Sequence, residues 1–570
     1  MMIPRRTTWK RLFFCSSLFF LLSSLLWLPA EGKKKKRRPL LKPIHVRNIT
    51  TDVRNVFDLS IPGEDFWLFR LADFLHISTR PSVVRRQLLV HPGDWTDLAQ
   101  IEESERELRA LPFIKEATII QKSVPGGQTD LVVKTQDSWT TQPQFGISSE
   151  GNQTTYSAGF EEINLLGYGK DVSYFYKKTV DGIEHDIGYN DPQFLNTRVN
   201  LNSALQVTPT GNAQNIGLAL PFYSLTTRAA GGVSLNHSLG LQKIFATGQQ
   251  VNQYDQEHSS INPFIGLWVN NDPLNVVRTQ LNYRYSEDIF RPNSTLPGTL
   301  PANKALSGPI LSSSYIESDF IKETFADKAG RVEDINLGHQ ANLGVGYVGH
   351  SLGATENSVP FSANDSFGFG GDGAWFGLAS YGISSRYQLD SEKQPEGRMF
   401  NTIYFANLNY YRHLTYTFPM TGVAHLESAY LQNPDTANVL SLGGSSGLRG
   451  YPNNSFTGNK SILFNLEDRF YYPDEFLHLA YMGGAVFLDA GEVQPQGQGF
   501  TQKDVHADIG FGMRFGLSRS SAGTVFRVDL AYAVGPVQQS NRWILSISSS
   551  QGFAQTGNTY GGFSNLTTTQ

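Results

Sequence analysis

From about residue 142 to residue 553, apolar and polar side chains take turns along the chain, one hairpin after another. In LNYRYS, Leu281, Tyr283 and Tyr285 alternate with Asn282, Arg284 and Ser286; in TVFRVDLAYAV, Phe526, Val528, Leu530 and Tyr532 alternate with Arg527, Asp529 and Ala531. A period of two belongs to a strand with two unlike faces. Arg and Asp on the second face would be costly in the dry core of a sandwich, whereas a water-filled lumen tolerates them. Closing the sheet on itself also pairs the edges that hydrocarbon cannot hydrogen-bond. The pattern therefore predicts a mainly β protein, a transmembrane antiparallel β-barrel over 142–553 with about 16 strands, 18 at most. The last five are expected near 460–472, 478–490, 505–517, 523–534 and 542–553. The longest gap, 287–333, is rich in Pro, Ser and Gly and reads as an extracellular loop or a flexible insertion.

Residues 43–137 follow a different rhythm. IHVRNI, starting at Ile44, reads as a strand, and DWTDLAQIEESERELRALP as one amphipathic helix with Leu98, Ile101, Leu108 and Leu111 on a single face. Asp97 sits at the helix start, Arg106 and Arg109 lie near its end, and Pro112 stops it. FIKEATIIQK, the turn PGGQ and TDLVVKTQ then predict a β-hairpin. The expectation is a small α+β domain in front of the barrel.

At the N-terminus, Arg5, Arg6, Lys10 and Arg11 precede the apolar run LFFCSSLFFLLSSLLWLP and the small residue Ala30. This is the layout of a secretory signal over 1–30, with an uncleaved anchor as the alternative. The run KKKKRR within 31–42 reads as a solvated basic tether. Setting aside the ten basic and one acidic residues of 1–38 leaves 37 basic and 50 acidic residues, a net charge of about −13. A body so acidic argues against nucleic acid as a partner. The single cysteine, Cys15, lies in the apolar run, so the remaining chain has no thiol for a disulfide or a metal. After residue 30 no run of eighteen apolar residues occurs, which excludes a multi-span helical protein.

Two glycine motifs invite enzymatic readings and fail them. Gly443-Gly444-Ser445-Ser446-Gly447 fits G-x-S-x-G, but a nucleophile elbow needs a helix after the serine, and here Pro, Asn and Gly lead into another strand. Gly368-Phe369-Gly370-Gly371-Asp372-Gly373 fits G-x-G-x-x-G, again with no helix behind it. The twelve histidines show no metal-ligand spacing. The sequence predicts no catalytic residue, no metal and no cofactor.

Beside that serine stands Arg449. In KSILFNLEDRF, Ile462, Phe464 and Leu466 occupy the oily face, which turns Glu467 and Arg469 inward. In YMGGAVFLDAGEV, Met482, Val486 and Leu488 face out, which turns Asp489 inward. A loop carrying Arg449 and folded into the barrel would offer both acids a fork of five donors. A purely structural ion-pair network is the plainer reading of the same residues.

These residues resemble the bacterial outer-membrane-protein-assembly and translocation barrels of the BamA and TamA type. Leu448-Arg449-Gly450-Tyr451 is similar to the family's loop signature. GGAVFLDAGEV, with Gly483, Gly484, Phe487, Asp489 and Gly491, is similar to its strand signature, and NLEDRF with Glu467 to the strand between. FEEINLLGYGKDVSYFYKK resembles the family's opening hairpin, and 43–137 resembles its polypeptide-transport-associated (POTRA) module, present here once. A tail, 554–570, runs past the usual terminal aromatic.

The resemblance implies a bacterial outer-membrane location with the N-terminal domain in the periplasm. It implies a loop–barrel interaction through Arg449, Gly450, Tyr451, Glu467, Asp489 and Gly491, and a seam near Phe145 to Gly151 and Trp543 to Phe553. The implied function is non-enzymatic assembly of outer-membrane proteins by strand templating at that seam, or else a secretion pore for one dedicated substrate. Its partners would be unfolded outer-membrane or secreted polypeptides, membrane lipids and accessory periplasmic proteins or lipoproteins.

Overall fold

The computed structural model describes residues 43–548 apart from 151–152, 247–248, 294–298, 372, 390–398, 416–417, 435–438, 521–524 and 536–540. The signal, the basic tether and the tail lie outside the described residues.

The N-terminal domain is a four-stranded sheet, β1 (Ile44–Arg54), β2 (Trp95–Thr96), β3 (Ile114–Val124) and β4 (Gln128–Asp137), in the order β2-β1-β4-β3. Three helices accompany it: α1 (Trp67–Leu75), α2 (Pro81–Gln87) and α3 (Leu98–Ala110). The Asp97 side chain caps α3 by accepting from the Gln100 amide at 2.9 Å. Ile101, Leu108 and Leu111 pack against Val46, Leu131 and Val133 of the sheet, whereas Leu98 stays exposed. Helices α1 and α2 were not legible in the sequence. Pro81 opens α2, and both helices are short, nine and seven residues, with no side chain capping either start to mark it in the sequence.

The rest is one closed antiparallel barrel of 20 strands. It runs from Thr141–Glu150, through Lys304–Glu317 and Lys460–Tyr471, to Trp543–Ser548. The count exceeds the expected 16. Long strands such as Gln249–Trp268 carry Asn, Gln and Ser on both faces, which blurs their alternation, and Gln340–Gly346 is short. After residue 459 the alternation is clean, and the described strands there, Lys460–Tyr471, Ala480–Gln494, His506–Leu517, Val525–Val534 and Trp543–Ser548, follow the expected ones closely. Along Lys460–Tyr471, burial switches at every residue: Ile462, Phe464 and Leu466 are exposed on the oily face, and Leu463, Asn465, Glu467 and Arg469 are buried in the interior.

The 287–333 stretch is not the predicted loop. Its first half belongs to strands Asn275–Pro292 and Lys304–Glu317. The remainder sits at the end of the barrel that bears the N-terminal domain, opposite to the end expected, and forms the ladder Phe320–Glu323 with Glu333–Asn336. The cause is strand parity: strand Lys304–Glu317 descends toward the domain, so the connection that follows must start there.

The domain packs against this same end. Asn164 of the first turn donates to Thr79 Oγ1 at 2.9 Å and accepts from the Gly169 amide at 2.6 Å. Gly167 and Gly169 have φ of +76° and +68°, and a Cβ on them would lie 2.5 Å from Ser78 O and 2.7 Å from Phe113. The Asn-Leu-Leu-Gly-x-Gly turn is thus the joint on which the domain rests. Further along the rim, Glu103 Oε1 accepts from the Leu225 amide at 2.6 Å, and Arg86 donates to Gln193 at 2.8 Å.

Candidate functional site: an arginine-bearing loop inside the barrel

The connection 433–459 leaves strand Pro419–Gln432 at the end far from the domain and folds back into the lumen. A short ladder, Leu440–Leu442 with Phe456–Gly458, and the one-turn 3-10 helix Gly444–Ser446 shape it. Gly447 has φ of +100°, and a Cβ there would lie 2.2 Å from Leu463 Cδ2. Leu442, Leu448, Tyr451, Leu463 and Ala533 form a small apolar core between loop and wall.

This packing delivers Arg449 to three acids. Its Nε lies 2.8 Å from Asp489 Oδ2 and its Nη2 2.9 Å from Asp489 Oδ1, a fork-on-fork pair. Nη1 donates to Glu467 Oε2 at 2.8 Å and reaches Asp529 Oδ2 at 3.4 Å. The guanidinium carbon stands 3.4 Å above the centre of the Phe487 ring. Arg449, Glu467, Asp489 and Asp529 are all nearly inaccessible to solvent.

Register explains why these side chains converge. Asn465, Asp489, Asp508 and Ala533 occupy one row across four strands; Glu467, Phe487, Gly510 and Ala531 occupy the next. In the second row a Cβ on Gly510 would be 2.3 Å from the Phe487 ring, so the glycine makes room for the platform under Arg449. Gly450 sits over the first row, where a Cβ would lie 2.5 Å from Asp508 Cβ. Gly491 packs under Leu442, and Tyr451 donates its hydroxyl to Ala507 O at 3.1 Å.

Two further arginines complete the set. Arg514 donates to Glu467 Oε1 at 3.0 Å and also pairs with Asp529. Arg469 donates to Glu467 Oε1 at 3.1 Å and to Ala326 O at 2.7 Å. Arg449, Arg469 and Arg514 therefore share Glu467, Asp489 and Asp529, with Arg527 3.9 Å from Asp529 and Asp327 3.3 Å from Arg469 at the margins, which is how so many ions can be taken from water together. Arg514 and Asp508 were missed as site residues. The alternation of Ile509, Phe511 and Met513 on the exposed face would have turned both inward.

Ala326 belongs to the 318–339 segment, which enters the lumen from the domain end. Its Asp327 accepts from the Tyr411 hydroxyl at 3.0 Å, and its Phe325 packs on Tyr471 and Tyr481. The same segment is tied to the domain. Asp334 accepts two bonds from Arg109, both 2.8 Å, and Arg331 donates to Ile114 O at 3.1 Å and to Ser138 Oγ at 2.8 Å. One continuous polar path thus runs from α3 through 318–339 to Arg469, Glu467 and Arg449.

The expected seam residues lie partly outside the described residues. Gly151 and Phe553 are not described, Phe145 lies in the first barrel strand, and Trp543 opens the last. Among the described residues these two strands meet at one cross-strand pair, Ile547 opposite Ser149. On its other side the first strand pairs without a break from Thr141 with Glu162 to Glu150 with Gln153. Ser445 donates to Asn453 Oδ1 at 3.1 Å, within its own loop.

Fold and site together define a closed transmembrane β-barrel with two connections folded into its lumen, one from each end, and an α+β domain at one mouth. No known protein-family description matches the chain. Among solved structures, BamA from Haemophilus ducreyi lacking POTRA domains 1–3 is 14% identical, with a TM-score of 0.36 over 89% of this chain and 83% of that one. CdiB from Acinetobacter baumannii is 13% identical, TM-score 0.42, over 89% and 74%. CdiB from Escherichia coli is 11% identical, TM-score 0.45, over 89% and 76%.

Proposed function

We propose that this protein is an outer-membrane assembly factor that inserts β-barrel polypeptides by templating their strands at its own seam. The observation that carries the reading is that the first barrel strand, Thr141–Glu150, meets the last, Trp543–Ser548, directly, with Ile547 opposite Ser149. Were these two strands to part, the backbone N–H and C=O groups of the first would be open to an incoming strand by β-augmentation. In the last strand Ser546 and Ser548 stand where larger side chains would lock the register. The loop and strand signatures around Arg449, Glu467 and Asp489, similar to those of the BamA and TamA type, support the same reading. The N-terminal domain, as a single POTRA module in the periplasm, would receive unfolded clients at the exposed edge of β3, whose only partner in the sheet is β4.

A secretion pore for one dedicated polypeptide is the second reading, and the width of a 20-stranded barrel favours it. In that case the clusters around Arg449 and Asp327 are stoppers that must withdraw. Depletion followed by outer-membrane proteomics separates the two. Broad loss of barrel proteins is expected for an assembly factor; loss of a single secreted product, with the barrel proteome intact, overturns that reading in favour of the exporter.

A further inference from the structure

Helix α1 is inside out. Seven of the nine residues in WLFRLADFL are apolar, yet none is buried. At 100° per residue Trp67, Leu68, Leu71, Phe74 and Leu75 share one arc, and all five are exposed, Phe74 by 83% and Trp67 by 61%. The opposite side does the holding: Phe69 stacks on Phe57 with centroids 4.3 Å apart, and Asp73 accepts from the Phe57 amide at 3.2 Å. The apolar arc is therefore not spent on folding the domain. A patch of this kind on an otherwise ordinary surface marks an interaction site.

Its position says with what. The stretch just before α1 is clamped to the rim of the barrel, where Arg519 Nη2 bridges Glu64 Oε1 at 2.6 Å and Glu475 Oε2 at 3.0 Å. That rim turn, 472–479, carries exposed Tyr472, Phe476 and Leu477, which continue the lipid-facing side chains Phe470 and Met482 of the adjoining strands. The oily belt of the barrel thus runs on into the rim against which α1 is held. Arg70, paired with Asp65 at 2.6 Å, borders the apolar arc and would give it a basic edge toward anionic headgroups. At nine residues, about 13 Å, the helix is too short to cross a bilayer and long enough to lie along its surface.

We infer that α1 is an interfacial anchor, with its apolar arc sunk into the phospholipid leaflet on the domain side of the membrane. It holds the domain against lipid beside Arg519, between strand His506–Leu517 and strand Val525–Val534, the partner of the last one. A patch reserved for unfolded polypeptide, or for a second copy of the chain, is the competing occupant.

The test uses the full-length protein in phospholipid nanodiscs, with Cys15→Ser as background and an environment-sensitive fluorophore on Phe74→Cys. A label on Lys122→Cys, exposed on β3, is the control. Phospholipids carrying a spin label on the acyl chain should quench the Phe74 label several-fold more than the Lys122 label, and lipid should shield it from aqueous iodide. Equal quenching at both positions overturns the inference. So does shielding that appears in lipid-free detergent on adding an unfolded polypeptide, or that follows protein concentration. Should Phe74→Cys not fold, Leu75→Cys gives the same readout. Introducing Leu71→Asp and Trp67→Asp beside the label should abolish the quenching while the barrel stays resistant to SDS; retained quenching overturns the assignment.

Discussion

Arg449 and Asp489 lie 40 residues apart on a loop and on the wall it folds against, and they meet through two parallel hydrogen bonds of 2.8 and 2.9 Å in a site closed to water. Replacing Arg449 with Ala leaves Asp489 buried without its cation, whereas Glu467 keeps Arg469 and Arg514. A loss of roughly 3–5 kcal/mol is expected for such a site, read as a lower unfolding temperature in detergent and a larger single-channel conductance as the loop leaves the lumen. Arg449→Lys, which keeps the charge and loses the fork, should fall between.

Locking the seam tests whether it must open. Ser149→Cys with Ile547→Cys on a Cys15→Ser background places two thiols directly across an antiparallel pair, within reach of a disulfide. The oxidised protein is expected to lose client assembly and to regain it on reduction, measured by the yield of a folded reporter barrel in proteoliposomes. Undiminished assembly by the locked form would rule out a lateral route.

The tie between the domain and the luminal segment can be weighed by a double-mutant cycle. Arg109 and Asp334 are well shielded, with side-chain exposures of 8% and 15%, and share two bonds. Arg109→Ala and Asp334→Ala should be strongly non-additive, with a coupling of about 1–3 kcal/mol. Hydrogen exchange over 318–339 should rise in each single variant and little further in the double one.

Burial raises the Asp137 carboxyl to about 6, against the hydrogen bond from the Thr79 amide. The folded state holds this proton more tightly than the unfolded chain does. Its contribution is therefore complete at pH below 3.8 and disappears as pH rises through about 6. The change amounts to roughly 3 kcal/mol. Protection of β4 amides, taken relative to the intrinsic exchange rate at each pH, should fall between pH 4 and 6.5 in the wild type, and Asp137→Asn should flatten that fall.

What the sequence disclosed and what it hid divide along physical lines. Where one face meets hydrocarbon and the other a polar lumen, as from Lys460 to Val534, alternation names both the strand and the inward residues, and Glu467, Arg469 and Asp489 were placed by parity alone. Where strands rise beyond the hydrocarbon, as in Gln249–Trp268, both faces are wet and the signal fades. Asp327 and Arg331 could not be found, because their partners Tyr411, Arg469 and Ser138 come from distant strands and from the domain. Helix α1 was hidden for a separate reason: it is only nine residues long and no side chain caps its start.

Arg469 touches the far-side loop's partner Glu467 with one nitrogen and the domain-side segment's Ala326 with another. The two obstructions therefore share a hinge pin, like the doors of an airlock. Displacing either one takes a partner from the guanidinium that holds the other, so neither can shift without the other registering it.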